Sequence, residues 1–356
     1  MKRLLLQAAR AAACLLPAAS IAAAGSPPIA NKMPDTSQAV PRAIEATNAS
    51  LLVVVGAPGA KEYEEVFAKQ ADVWEQTAGR GGYAVTVIGR DEGATNDLET
   101  LNGALSGEPR NGSGRLWIVL IGHGTFDGKE ARFNLRGPDL SATQLAAWLK
   151  PFVRPIAVVN TSPSSAPFLN ALSATNRLII TATRSGHEQY HTRFGEYFAQ
   201  ALTGKSADLD KDEQVSLLEA FLVASRRAGE FYKLNGRIAT EHALIDDNGD
   251  GLGTPADWFR GVRPTKKPND KAAIDGVLAQ QWHLLPSEAD RDLTPEQQVE
   301  RDQLVQSILQ FRERKASMQE SEYYGHLEGL LLKLGRLYYP EPSAQKQAEP
   351  SPPRFR

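Results

Sequence analysis

Five short apolar runs, separated mainly by stretches with helical spacing, limit what this chain can fold into more than any other feature. Leu51–Val55 is unbroken and ends at Gly56, and Tyr83–Ile88, Leu116–Ile121, Ile156–Val159 and Leu178–Thr181 repeat the pattern. A strand that is apolar at nearly every position must be buried on both faces. Tyr63–Thr77, Ala142–Leu149 and Arg193–Leu202 place their apolar residues at helical intervals. Strand alternating with helix predicts an α/β domain, a parallel sheet between two helical layers. Ligands and reactive groups collect beyond the carboxyl ends of such strands. The segments to inspect are therefore Gly56–Gly59, Gly122-His123-Gly124, Asn160-Thr161-Ser162 and Thr183–His191.

Two of these segments carry a resemblance. Leu120-Ile121-Gly122-His123-Gly124 resembles the His-Gly motif that caspases, legumains and gingipain-like (clan CD) cysteine peptidases place after a buried strand. Val158-Val159-Asn160-Thr161-Ser162 resembles their next strand, with Ser162 where they carry the cysteine nucleophile. His123 and Ser162 are 39 residues apart, a little closer than the roughly 50 quoted for caspases. The resemblance spans about residues 50–260 and implies a caspase-like three-layer domain. It also implies His123 as the imidazole, Gly124 as a backbone donor to an oxyanion and Ser162 in the nucleophile's place.

The serine changes the chemistry. A thiol with a pKa of about 8.5 is partly ionised near neutrality, whereas a hydroxyl needs a closely bonded base that is itself oriented by a third group. Three readings stay open. The scaffold is catalytically inactive and binds a peptide or protein partner; it is a serine hydrolase with His123 as base; or His123 ends a strand and Ser162 starts a turn, which Pro163-Ser164-Ser165 would suit.

No cysteine elsewhere can stand in. Cys14 is the single cysteine of the chain, and it falls inside an N-terminal stretch with the layout of a secretory signal. Lys2 and Arg3 precede Ala- and Leu-rich sequence that reaches Ala22-Ala23-Ala24. Export to the periplasm or the extracellular space is expected, with residues 1–24 as signal peptide; a lipidated Cys14 is the alternative. Pro-rich 25–49 reads as a linker. No run of about 20 apolar residues predicts an integral membrane segment. A formal net charge of −2 on 356 residues gives no electrostatic footprint for nucleic acid.

Other constellations suggest metals. His187-Glu188-Gln189-Tyr190-His191 fits H-E-x-x-H, the zinc hydrolase pattern in which two imidazoles sit one helical turn apart. Arg184-Ser185-Gly186 just before it disfavours a helix, and Phe194 and Phe198 occupy the offsets of the supporting metzincin glycine and histidine. Zinc is accordingly disfavoured. Asp208, Asp210, Asp212, Ser216 and Glu219 reproduce positions 1, 3, 5, 9 and 12 of a calcium loop, with Glu213 in place of the usual glycine. A second acidic loop offers Asp246, Asn248, Asp250 and Asp257, with Gly251 at the glycine position. Converging carboxylates repel unless a cation joins them. Calcium is the candidate ion for both loops.

The main domain is expected to end at residue 262. Beyond a polar, Pro-containing stretch, Gln297–Ser317 and Glu320–Leu337 have helical spacing and predict a helical hairpin within residues 263–339. Residues 340–356, rich in Pro and polar side chains, are expected to be disordered.

Overall fold

The computed structural model describes residues 49–91, 93, 95–266 and 274–339. The expected signal peptide, all of the linker but Ala49, and the tail lie outside the described residues. All five apolar runs are strands: β1 Ser50–Val55, β2 Ala84–Ile88, β3 Leu116–Ile121, then, beyond the short strands β4 Gly124–Phe126, β5 Ala131–Phe133 and β6 Leu140–Ser141, β7 Ile156–Asn160 and β8 Arg177–Thr181. They pair in parallel, and β9 Leu244–Asp246 and β10 Thr254–Pro255 add two antiparallel strands at one edge. The resulting order is β10-β9-β8-β7-β3-β1-β2. β4, β5 and β6 form a separate antiparallel sheet, and β11 Phe259–Arg260 pairs with β12 Arg263–Pro264.

The pleat of β1 shows why three layers form. Leu51, Val53 and Val55 point into one core with Phe67 and Trp74 of α1 (Lys61–Arg80). α2 (Asp97–Gly107), α3 (Ala142–Leu149) and α4 (Ala166–Leu172) face the opposite side, where Leu52 and Val54 share a core with Leu101, Leu145 and Phe168. The first core is completed by Phe198 of α5 (Phe194–Thr203) and Phe221 of α6 (Leu217–Leu234). Each fully buried side chain of this size contributes about 1.5–3 kcal/mol of hydrophobic transfer energy, so the alternation commits every central strand to a register. The fold is α/β with a parallel-dominated sheet between helical layers.

The body extends past the boundary expected at 262 and runs to Leu285. Trp282 is 1% exposed and its ring lies 5.1 Å from that of Trp117, while its carbonyl accepts the Leu217 N–H. A tryptophan this deeply placed ties residues expected to belong to the helical hairpin extension into the main body.

From Pro286 onward the chain forms a compact unit of its own, made of α7 (Glu288–Arg291), α8 (Pro295–Glu313) and α9 (Glu320–Tyr338). The expected hairpin is present. Thr294 and Gln297 form a capping box at the start of α8, and Phe311 stacks on Tyr323 at 5.2 Å. Asp290 accepts from the Tyr338 hydroxyl at 2.6 Å and pairs with Arg301. No helix among the described residues is long and apolar enough to cross a membrane.

Candidate functional site

The direction in which the chain adds strands reverses between β1 and β3, and in open α/β sheets this is where a crevice opens. Gly56 and Gly122 end those two strands. A Cβ on Gly122 would lie 3.0 Å from the Gly56 Cα, so the strand ends approach too closely for a side chain at that position. His123 leaves β3 at this point. Its ring meets Tyr63 edge-on at 4.6 Å and Phe67 at 5.2 Å, and its Nε2 lies 3.1 Å from the Pro58 carbonyl oxygen. A carbonyl can only accept, so this contact puts the proton on Nε2.

Ser162 follows the adjacent strand β7 and is 1% exposed. A Cβ on Gly124 would come within 2.3 Å of the Pro163 carbonyl oxygen and 2.9 Å of Ser162 Oγ. The His-Gly segment and the Ser162 turn are therefore packed against each other, and the glycine is what permits it. Among the described residues, however, no hydrogen bond joins His123 to Ser162. Ser162 Oγ donates to Asn160 Oδ1 at 2.7 Å and lies 3.2 Å from its neighbour's carbonyl, Pro163 O. The Ser162 N–H also donates to Asn160 Oδ1, at 3.0 Å. One buried carboxamide oxygen thus engages both the hydroxyl and the N–H of Ser162. Sequence reading missed Asn160, yet a signal was present: an Asn two residues before another residue commonly accepts its N–H in an Asx-turn.

The segment after β8 borders this turn. Residues 184–193 are turns and loop, with α5 starting only at Phe194, so His187 and His191 are not one helical turn apart. The His187 ring packs on Phe126 at 5.2 Å, the His191 ring on Tyr63 at 4.9 Å, and Glu188 turns to His242, whose Nδ1 lies 2.5 Å from its carboxylate. The structure does not bring His187, Glu188 and His191 together as a zinc triad. His191 nevertheless joins the site, 6.1 Å from His123 between ring centres. Burial pushes its imidazole down to about 4, helped by His123 and Arg193.

Two consecutive residues hold that segment in place. Glu241 accepts the N–H groups of Arg193 and Phe194, satisfying orphan donors at the start of α5. His242 donates its N–H to Glu188 as well as meeting it through the ring. The Glu188 carbonyl in turn accepts the N–H of Ser164, which sits at φ 54 in the left-handed region. Burial raises the Glu241 carboxyl above its ordinary range.

The acidic loops differ. One carboxylate oxygen from each of Asp208, Asp210 and Asp212 lies within 4.8 Å of the other two. Glu213, at the glycine position, has φ +74, the backbone geometry that a glycine there normally supplies. Ser216 and Glu219 form a capping box at the start of α6, and Glu219 also accepts the Leu209 N–H at 2.6 Å. In the second loop the side chains bond to their own turn: Asp246 accepts from Gly249 and Gly251, Asn248 from Asp250, and Asp250 from Leu252. Asp257 pairs with Lys266 at 2.6 Å. Asp246, Asp250 and Asp257 do not gather as the first three acids do.

No family model and no curated protein matches this chain. Among solved structures, the Drosophila initiator caspase Dronc aligns at 15% identity and a TM-score of 0.39, covering 67% of this chain and 96% of that one. Caspase-1 from Spodoptera frugiperda aligns at 9% and 0.36, covering 62% and 94%. Protein GSU0716 from Geobacter sulfurreducens aligns at 14% and 0.32, covering 50% and 89%.

Proposed function

We propose that this protein is an exported homologue of the caspase and legumain peptidases that has no peptidase activity and uses the crevice around His123 and Ser162 to bind a peptide or protein partner. The observation that carries the reading is the pair of bonds from Ser162 to Asn160 Oδ1. A serine nucleophile needs its proton aimed at a base, and an oxyanion needs a free N–H at the nucleophile. Here the hydroxyl and the amide both point to a carboxamide oxygen, while His123 Nε2 faces Pro58 O. Among the described residues, no carboxylate hydrogen-bonds to the His123 ring. Export follows from the sequence of residues 1–24 and is part of the same proposal.

A serine-directed fluorophosphonate tests it. The full chain should remain unlabelled, as should Ser162→Ala. Labelling of the wild type that Ser162→Ala abolishes would establish a serine hydrolase and sink the inactive reading.

The loop of Asp208, Asp210 and Asp212 is proposed as a calcium site, supported by the convergence of three carboxylates and by the left-handed Glu213.

A further inference from the structure

Among the described residues, the two most exposed large apolar side chains, Leu234 at 86% and Ile238 at 89%, are four residues apart. They stand on a fixed turn. Helix α6 ends with Gly236 at φ +60, whose N–H donates to Lys233 O at 3.2 Å, while the Arg237 N–H donates to Tyr232 O at 2.9 Å. This bond pair is a Schellman cap, in which the residue after the glycine usually folds an apolar side chain back onto the helix. Arg237 occupies that place, and Ile238 projects beyond it. Displaying two aliphatic side chains almost wholly to water costs hydration free energy, and the turn gains nothing internally from them.

The charge around them is mainly positive. Lys233 and Arg237 are exposed, and neither forms an ion pair among the described residues. Arg193 lies over the Phe231 ring at 4.1 Å. Glu230, the acidic residue of this stretch, pairs with Arg226 at 3.8 Å. Aliphatic side chains framed by unpaired cations are the chemistry of an interfacial anchor, where apolar groups enter the acyl boundary and Lys and Arg remain at the headgroups. Nearly full exposure leaves both side chains free to enter an acyl boundary without rearrangement of the turn.

We propose that the Lys233–Ile238 turn docks peripherally on an anionic lipid bilayer. The proposal is independent of the reading of Ser162.

Co-sedimentation of the full chain with vesicles tests it. Wild-type protein should bind vesicles containing phosphatidylglycerol, bind pure phosphatidylcholine much less, and lose binding as salt rises. The Leu234→Ser/Ile238→Ser variant should bind about tenfold less or weaker still, and Lys233→Glu/Arg237→Glu should lose the preference for anionic lipid. A second measurement localises the contact: Ile238→Trp should add a blue-shifted emission on mixing with phosphatidylglycerol vesicles. The proposal is overturned by absence of wild-type binding, by equal binding to both lipids, by unchanged binding of the serine variant, or by an Ile238→Trp emission that vesicles do not shift. An unchanged thermal melt of each variant confirms that the fold is intact.

Discussion

Asn160 Oδ1 accepts twice from Ser162, from its N–H at 3.0 Å and from its hydroxyl at 2.7 Å, and both side chains are buried. The two substitutions that break this pair should therefore differ in cost. Asn160→Leu leaves a buried N–H without its acceptor, a loss of about 1–3 kcal/mol. Ser162→Ala removes a donor while the amide bond survives, and should cost about 1 kcal/mol or less. Denaturant melts of the two variants decide the point. Equal losses would mean that the bond from the Ser162 N–H to Asn160 Oδ1 contributes little to the turn.

His191 should give stability a pH dependence of definite sign. Its imidazole is held down to about 4 by burial, His123 and Arg193, against about 6.5 in an unfolded chain. Between these values the unfolded state binds a proton that the native state refuses, so this residue's contribution is present above about pH 6.5 and is lost as pH falls toward 4. In His191→Phe, stability between these pH values should fall less on acidification than in wild type. Direct observation of the ring by NMR should show it neutral at pH 5.5; a protonated ring at that pH would contradict the buried placement.

The parts legible in the sequence are those set by local pattern. β1 and β3 were readable because each position is apolar, and the His123 and Ser162 segments followed from their place after strands. β9 escaped because three residues, Leu244–Asp246, carry too little periodicity to announce a strand. The links that shape the site join residues far apart: Glu188 meets His242 across 54 positions, and Glu241 reaches Arg193 across 48. Such contacts depend on how helices and strands stack, and no window of sequence contains both partners. Asn160 is the intermediate case, since its partner is two residues away and its turn chemistry is local.

Asp247 and Asp275 clasp each other's segments. Asp247 accepts the N–H groups of Gly276 and Ala279, and Asp275 accepts those of Asp247 and Asn248 together with the Thr254 hydroxyl. Burial raises both carboxyls, and for Asp275 the charge of Asp247 adds to the effect. The sign is opposite to that of His191. The native state holds protons that the unfolded state has released, so stability declines as pH rises from about 4, the ordinary carboxylate range, toward neutrality. Asp275→Asn removes one of the two charges. Its stability relative to wild type should be smallest near pH 4 and increase with pH, as read from denaturant melts at several pH values. A difference that stays flat with pH would mean that the pair ionises as freely as exposed acids do.

Glu213 offers the sharpest test of the calcium proposal, because its backbone and its loop make separate demands. A non-glycine residue at φ +74 carries a left-handed penalty of about 1–2 kcal/mol, partly offset in a glycine variant by the greater entropy of its unfolded chain. Glu213→Gly should therefore change metal-free stability by less than about 1 kcal/mol, while relieving the strain that calcium must otherwise hold in place. Calorimetric titration should show calcium bound by the wild type, bound at least as tightly by Glu213→Gly, and lost in Asp210→Ala/Asp212→Ala. Absence of calcium-dependent heat and of any melting shift in the wild type would remove the ion from this loop, leaving its three carboxylates as a solvated turn ahead of α6.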